Sequence, residues 1–228
     1  MIIMKDIYKK YNNGVTAVNG IDVHIERGEF VYIVGPSGAG KSTFVRLIYR
    51  EEKPTSGELI VDGQDLSKLK EKNVPFLRRK VGVVFQDFKL LPKLTAYENV
   101  AFALEVIEES PKNIRSKVME VLELVGLKNK SRSLPLELSG GEQQRVAIAR
   151  AIVNNPKVVI ADEPTGNLDS DTSWEIMRIF EEINFRGATI VMATHSKEIV
   201  NTMKKRVIAI ENGIIARDEH RGEYGYEI

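Results

Sequence analysis

The chain contains no cysteine. Disulfides and thiolate metal sites are therefore excluded, and the composition agrees with a reducing compartment. Neither sign of charge prevails: 33 Lys and Arg stand against 32 Asp and Glu, a net charge of +1. Nothing in that balance draws the chain to nucleic acid, and no nucleic-acid partner is expected. Long hydrophobic runs are missing too. The best candidates, near 158–161 and 190–193, are strand-sized, far short of the ~18 residues that span a bilayer. The opening Met-Ile-Ile-Met-Lys-Asp lacks the layout of a signal peptide. Repeats and low-complexity linkers are absent as well. These absences lead us to expect a soluble, intracellular protein that reaches a membrane only through a partner.

What is there is an alternation of short apolar runs with helical blocks. At 228 residues the chain can build one large α/β domain with a real core. Residues 1–34 read as short strands, partly antiparallel, with Asn12-Asn13-Gly14 and Asn19-Gly20 as turn signals. Pro54-Thr-Ser-Gly57 breaks the chain after a first helix. Strands are then expected at 58–63 and 81–85. From about 95 to 155 apolar residues recur at helical spacing, as in Val118, Val121, Leu122 and Val125. Strand signals return at 158–161, 188–193 and 207–210, with a helix at 174–183 between the first two. The expected organisation is a nucleotide core with a β subdomain (1–94 and 156–216), a helical subdomain (95–155), and a polar surface tail (217–228). The basic residues Lys68, Lys70, Lys72, Arg78, Arg79 and Lys80 read as a solvated face. His24 and His220 stand in no motif.

The stretch Gly35-Pro36-Ser37-Gly38-Ala39-Gly40-Lys41-Ser42 fits G-x-x-x-x-G-K-[ST]. The apolar run 29–34 precedes it as a strand, and Phe44, Val45, Leu47 and Ile48 follow at helical spacing. Strand, glycine loop and helix together make a phosphate site. Bare backbone N–H groups point inward and the helix N-terminus adds partial positive charge. Lys41 would reach the β- and γ-phosphates, Ser42 would ligate Mg²⁺, and the phosphate-binding stretch runs from Gly35 to Thr43.

Two further elements carry chemistry. Val158-Val-Ile-Ala-Asp162-Glu163 is an apolar strand ending in adjacent acids, which is not a packing solution. At the carboxyl edge of a parallel sheet they face the ligand crevice. Asp162 suits a hold on Mg²⁺, and Glu163 is placed to polarise the attacking water. Leu138-Ser139-Gly140-Gly141-Glu142-Gln143-Gln144-Arg145 sets two glycines and a serine at a helix start, a second anion site. One chain with one lysine-bearing loop has no need of a second such site for itself. The pairing makes sense if the second serves another copy's nucleotide.

These motifs, with Asn167-Leu168-Asp169 and His195, stand in the order of ABC-type ATPases, which the chain resembles over essentially its whole length. The resemblance implies an α/β fold with a P-loop NTPase (RecA-like) core, an antiparallel β subdomain and an inserted α-helical subdomain. It implies a head-to-tail homodimer with ATP and Mg²⁺ between one copy's Lys41 loop and the partner's Ser139–Gly141, with Glu142 alongside. It also assigns Tyr11 to stack on adenine, Gln86 to sense Mg²⁺ and the γ-phosphate, His195 as a switch histidine, and Asp169 to cross to the partner site. Lys41, Gln86, Glu163 and His195 are the expected catalytic set, and Ser42, Gln86 and Asp162 the metal set.

Within the family, the runs 44–57, 86–92 and 217–228 resemble the cell-division members. Pro164–Asp169 is shared with the lipoprotein-release and macrolide-export ATPases, which form the alternative. The implied partner is an integral membrane protein that relays conformational change to cell-wall hydrolases, with the chain held at the cytoplasmic face of the membrane. Phe88, Leu90, Leu91 and Pro92 are the expected docking surface for it.

Overall fold

The alternation of buried and exposed residues along the first 25 positions folds into an antiparallel pair. In the computed structural model, which describes residues 1–225, this is β1 (Ile2–Lys10) against β2 (Thr16–Ile25). The chain then enters β3 (Phe30–Val34), α1 (Lys41–Ile48), β4 (Ser56–Val61) and β5 (Gln64–Asp65). Strands β2-β1-β4-β5 make a first, wholly antiparallel sheet. Asn12-Asn13-Gly14 is the turn between β1 and β2, closed by Gly14 N–H to the Tyr11 carbonyl at 2.9 Å. Asn19-Gly20 is not a turn. The register steps from Ile7↔Ile21 to Tyr8↔Asn19, so Gly20, at φ 67°, is the extra residue of a β-bulge.

After α2 (Val74–Arg78) and β6 (Val81–Val84) come α3 (Ala96–Glu105), α4 (Pro111–Leu124) and α5 (Gly140–Ile152). Each of the three has a side-chain N-cap. Thr95 and Ser139 form full capping boxes with Glu98 and Glu142, while Ser110 caps α4. The chain returns through β7 (Val158–Asp162), α6 (Ser170–Phe185), β8 (Thr189–Ala193), α7 (Lys197–Met203), β9 (Arg206–Glu211) and β10 (Ile214–Glu219). The second sheet has the order β10-β9-β3-β8-β7-β6, parallel from β9 to β6 with β10 antiparallel at its edge.

Strands β3 and β8 are buried at every residue, as central parallel strands must be. Their alternation divides the core. Phe30, Tyr32 and Val34 join α3–α6 in one hydrophobic cluster, while Val31 and Ile33 join α1 and the antiparallel sheet in the other. Each fully buried side chain of the Phe44 or Phe180 kind contributes about 1.5–3 kcal/mol by leaving water. Layers on both faces of the parallel sheet leave the carboxyl ends of its strands free for a ligand.

Two expectations are revised, and one helix was not foreseen. Residues 217–219 belong to β10, and Arg217 holds the Glu223 and Gly225 carbonyls, so the expected tail is strand and anchored turn as far as residue 225. Residues 226–228 of that expected tail lie outside the described residues. In the basic stretch Lys68, Lys70, Lys72, Arg78 and Lys80 are exposed as expected and Arg79 is half-buried, while Arg78 also reaches the Tyr49 and Arg50 carbonyls at 3.3 and 3.0 Å. That arginine is a strut. Helix α7, seven residues long, had no periodic signal to announce it.

Candidate nucleotide site

Between β3 and α1 the loop Gly35–Gly40 is forced into a conformation only glycine tolerates at its two ends. Gly35 has φ 144° and Gly40 has φ 110°. A Cβ at Gly35 would lie 2.1 Å from the Ile210 carbonyl oxygen, and one at Gly40 2.2 Å from that of Ala17. The turn between β9 and β10 backs the loop, with Gly213 N–H donating to the Ala39 carbonyl at 3.0 Å. Pro36, Ser37 and Gly38 stay exposed on the rim. Lys41 is 6% exposed, and its ammonium donates to the Gly35 and Pro36 carbonyls at 2.9 and 3.0 Å. Burial pushes its pKa down, against the opposing pull of Glu163 and Asp162. A buried ammonium held by loop carbonyls is a charge waiting for a better counter-ion, and a phosphate fits that description.

Asp162 ends β7 next to that loop. Its Oδ1 accepts from the Ser42 hydroxyl at 3.5 Å. Burial raises its pKa, with Arg46, Ser42 and Lys41 working the other way. Glu163 follows at φ 50°, anchored by its N–H to the Ala193 carbonyl at 2.9 Å. Its Oε1 lies 2.7 Å from Nε2 of His195, two residues beyond the end of β8. Gln86, just past β6, is exposed, and its Nε2 lies 3.5 Å from Asn167 Oδ1, while Asn167 donates back to the Gln86 carbonyl at 3.3 Å. Of the expected metal set, then, Ser42 and Asp162 meet each other and Gln86 bonds Asn167. Among the described residues no group of three or more His, Cys, Asp or Glu is arranged to hold a metal. A hydroxyl and a carboxylate supplemented by phosphate oxygens suit Mg²⁺, a hard, oxygen-seeking cation.

Tyr11 stands at the mouth, its hydroxyl 3.2 Å from Thr43 Oγ1 and the Lys9 ammonium 4.9 Å from its ring centroid. At the other end of the molecule's motif set, Ser139 caps α5. Its Oγ accepts from Glu142 N–H at 3.2 Å while the Glu142 carboxylate takes the Ser139 N–H at 2.9 Å. Glu142 is thus occupied by the cap and by Lys130 at 3.7 Å. Asp169 caps α6, accepting from the Thr172 N–H and hydroxyl at 2.9 and 2.7 Å. Among the described residues no hydrogen bond joins residues 139–142 to the Lys41 loop, so the two stretches expected to bind phosphate share none within one copy.

Two side chains outside the sequence reading matter here, and a third, Gln144, stood in it only as a member of the 138–145 motif. Asn99 is fully buried and clamps the loop after Gln86, bonding Leu91, Leu94 and Thr95. Arg150 donates to the Phe88 and Lys89 carbonyls at 2.8 and 2.6 Å, at two residues with positive φ. Gln144 is fully buried at i−4 from Ile148, a polar group on an apolar face, and that position was its sequence signal.

Residues 18–166 match the family described as ABC transporter. The chain belongs to the ABC transporter ATPase family. This cassette is 72% identical to the cell division ATP-binding protein FtsE of Bacillus subtilis, over 99% of each chain. It is 66% identical to that of Streptococcus pneumoniae, over 100% of this chain and 99% of the relative. The identity to the Escherichia coli protein of that name is 45%, over 93% and 96%. Among solved structures, a dimeric ATP-binding cassette in a post-hydrolysis state bound to ADP and Pi superposes with a TM-score of 0.88 at 37% identity, covering 98% of this cassette and 100% of that chain. The cbiO1 protein of Clostridium perfringens, part of an ABC transporter complex, gives 0.90 at 32%, covering 96% and 88%. The P-loop fold and the inserted helices expected from the sequence are those of an ABC cassette.

Proposed function

We propose that this cassette binds and hydrolyses ATP with Mg²⁺ as the engine of a membrane complex that acts in cell division. The observation that carries the reading is the meeting of Ser42 with Asp162, and of Glu163 with His195, beside the buried Lys41 loop. Phosphate oxygens would take over the Lys41 ammonium from the Gly35 and Pro36 carbonyls and accept from the loop N–H groups. Tyr11 would stack on the base. Ser42, Asp162 and Gln86 would hold Mg²⁺, which neutralises charge building on the β- and γ-oxygens. Glu163 takes a proton from the water as it attacks the γ-phosphorus; the bond to the bridging oxygen breaks, releasing ADP and phosphate. His195, whose Nε2 lies 2.7 Å from Glu163 Oε1, would orient that carboxylate.

The second phosphate-binding end would complete the partner's site. Ser139, Gly140 and Gly141 would close over the nucleotide on the partner's Lys41 loop, with Asp169 crossing beside them. The dimeric, ADP-bound relative supports this arrangement. The high identity to proteins named for cell division supports the setting. There the partner is an FtsX-like integral membrane protein, a cell-wall hydrolase lies downstream of it, and the cassette sits at the cytoplasmic face of the membrane.

Of the expected docking residues, Leu91 and Pro92 are exposed and the other two are not. Phe88 and Leu90 are half-buried, Leu90 against the core, and Arg150 pins the Phe88 carbonyl. The exposed apolar residues nearby are Leu91, Phe102, Val106 and Phe76. Arg79 links the last two, stacking on the Phe76 ring at 4.9 Å and donating to the Val106 carbonyl at 3.3 Å. The test is co-purification from detergent-solubilised membranes, followed by phosphate release from the purified complex. Capture of an integral membrane partner with ATP-dependent phosphate release is expected. A cassette recovered alone, or bound to ribosomes or DNA, contradicts the reading.

A further inference from the structure

The amide of Gln144 takes no part in the nucleotide chemistry above, yet it is fully buried on α5. Its Nε2 donates to the Pro164 carbonyl at 2.7 Å, and its Oε1 has no hydrogen-bond partner. A carbonyl can only accept, so the orientation of the amide is fixed by chemistry. A leucine would fill similar volume without burying an unpaired oxygen, so stability alone does not account for an amide here. The bond ties α5 to the carbonyl of the residue that follows Glu163.

That residue belongs to a strained turn. Glu163 is held at φ 50° by its N–H on the Ala193 carbonyl, and its own carbonyl accepts from Gly166 N–H at 3.1 Å. Gln144 supplies the next hold along, at Pro164. Two more contacts join the same elements. Gly141 lies so close to Thr172 that a Cβ would come 2.3 Å from Thr172 Cγ2, and Arg145 pairs with Glu175 at 2.7 Å. Asp169 fixes Thr172 in turn. The head of α5 and the segment from Glu163 to the first turn of α6 are therefore built to shift together.

The inference rests on the sandwich reading above. In it, Ser139 at the head of α5 touches the nucleotide on the partner's Lys41, while Glu163 serves the nucleotide of its own copy. We propose that Gln144 is a positioning residue that couples the two sites: seating α5 on one nucleotide sets Glu163 for hydrolysis of the other. Gln144 touches neither nucleotide nor water; it acts through Pro164 on the Glu163 backbone.

The test compares the full chain with Gln144→Leu and Gln144→Glu. Hydrolysis is measured against ATP concentration, alongside nucleotide titration and ATP-driven dimerisation in a Glu163→Gln background. Gln144→Leu is expected to bind ATP within about twofold of the parent and to dimerise. Its kcat should fall about tenfold or more, and its Hill coefficient should drop to about one. In Gln144→Glu a protonated carboxyl can donate to Pro164 and a carboxylate cannot, so kcat relative to the parent should recover as pH falls. A purely structural role would lower the melting temperature and leave kcat per folded molecule and cooperativity unchanged. The proposal is overturned by a Gln144→Leu protein whose kcat and Hill coefficient stay within about twofold of the parent, or by a parent whose own coefficient is about one. Should Gln144→Leu not fold, a Gln144→Glu protein whose relative kcat ignores pH overturns it. A parent that binds ATP without dimerising removes the sandwich reading, and this inference with it.

Discussion

Lys41 and Asp162 are both charged groups held where burial disfavours charge, and the proposed function gives both a role toward a nucleotide and its metal. Function at this scale opposes stability. Asp162 has its pKa raised by burial, so its ionised form is the one the fold disfavours. Asp162→Asn should therefore stabilise the nucleotide-free protein in urea titrations at neutral pH. The sign follows from linkage: above the raised native pKa the parent carries the penalty in full. Below the ordinary aspartate value of 3.8 both states are protonated, so the gain disappears as pH falls. The same variant should lose Mg²⁺-dependent hydrolysis. Lys41→Ala removes a charge-assisted contact to phosphate and should weaken ATP binding about tenfold or more, about 1.4 kcal/mol, read by nucleotide titration. Unaltered affinity would take the lysine out of the phosphate site. Glu163→Gln should bind ATP normally and turn over about 10²-fold more slowly, because the water loses its base. Normal phosphate release from that variant would remove Glu163 from the role.

At the scale of elements, what the sequence revealed and what it hid divide along physical lines. The loop after β3 was legible because Gly35, Gly40, Lys41 and Ser42 must stand at fixed spacing between a buried strand and a helix. Strand β8 was legible because a central parallel strand is apolar throughout. Edge strand β10 was not, since Arg217, Asp218 and Glu219 face solvent or ion pairs and read as tail. The Asn19-Gly20 bulge carried the same residues as a turn, and only pairing with β1 tells the two apart. Of the site, motif-bearing residues were read from spacing, while Asn99 and Arg150 were not, and Gln144 was read as part of a motif without its own role. They act on backbone carbonyls, nearby for Asn99 and distant for Arg150 and Gln144, and such contacts have no spacing rule in the sequence. Asn99 offers a clean measure of such clamps. Asn99→Leu would strand the Leu91 N–H and the Leu94 carbonyl, while the Leu91 and Thr95 carbonyls keep the backbone N–H groups of residues 94 and 99. It should lower unfolding free energy by about 2–4 kcal/mol in denaturant titrations. A change under about 0.5 kcal/mol would mean the loop finds other partners.

At the scale of the whole molecule, the proposal gives the cassette two phosphate-binding ends, one headed by Lys41 on α1 and one by Ser139 on α5. No hydrogen bond among the described residues joins them. A second copy placed head to tail resolves this, since each loop then faces the partner's serine. Closure on ATP would move α3–α5 against the parallel sheet. The exposed Leu91, Phe102 and Val106 would carry that movement to whatever they grip. Ser139→Asp isolates the claim because aspartate still caps α5 while setting a carboxylate against the partner's phosphates. The measurement is sedimentation of the Glu163→Gln protein with and without ATP, alone and combined with Ser139→Asp. The account predicts an ATP-dependent dimer for the first and a monomer that still binds ATP for the second. A Ser139→Asp protein that dimerises on ATP as readily as its parent would contradict it.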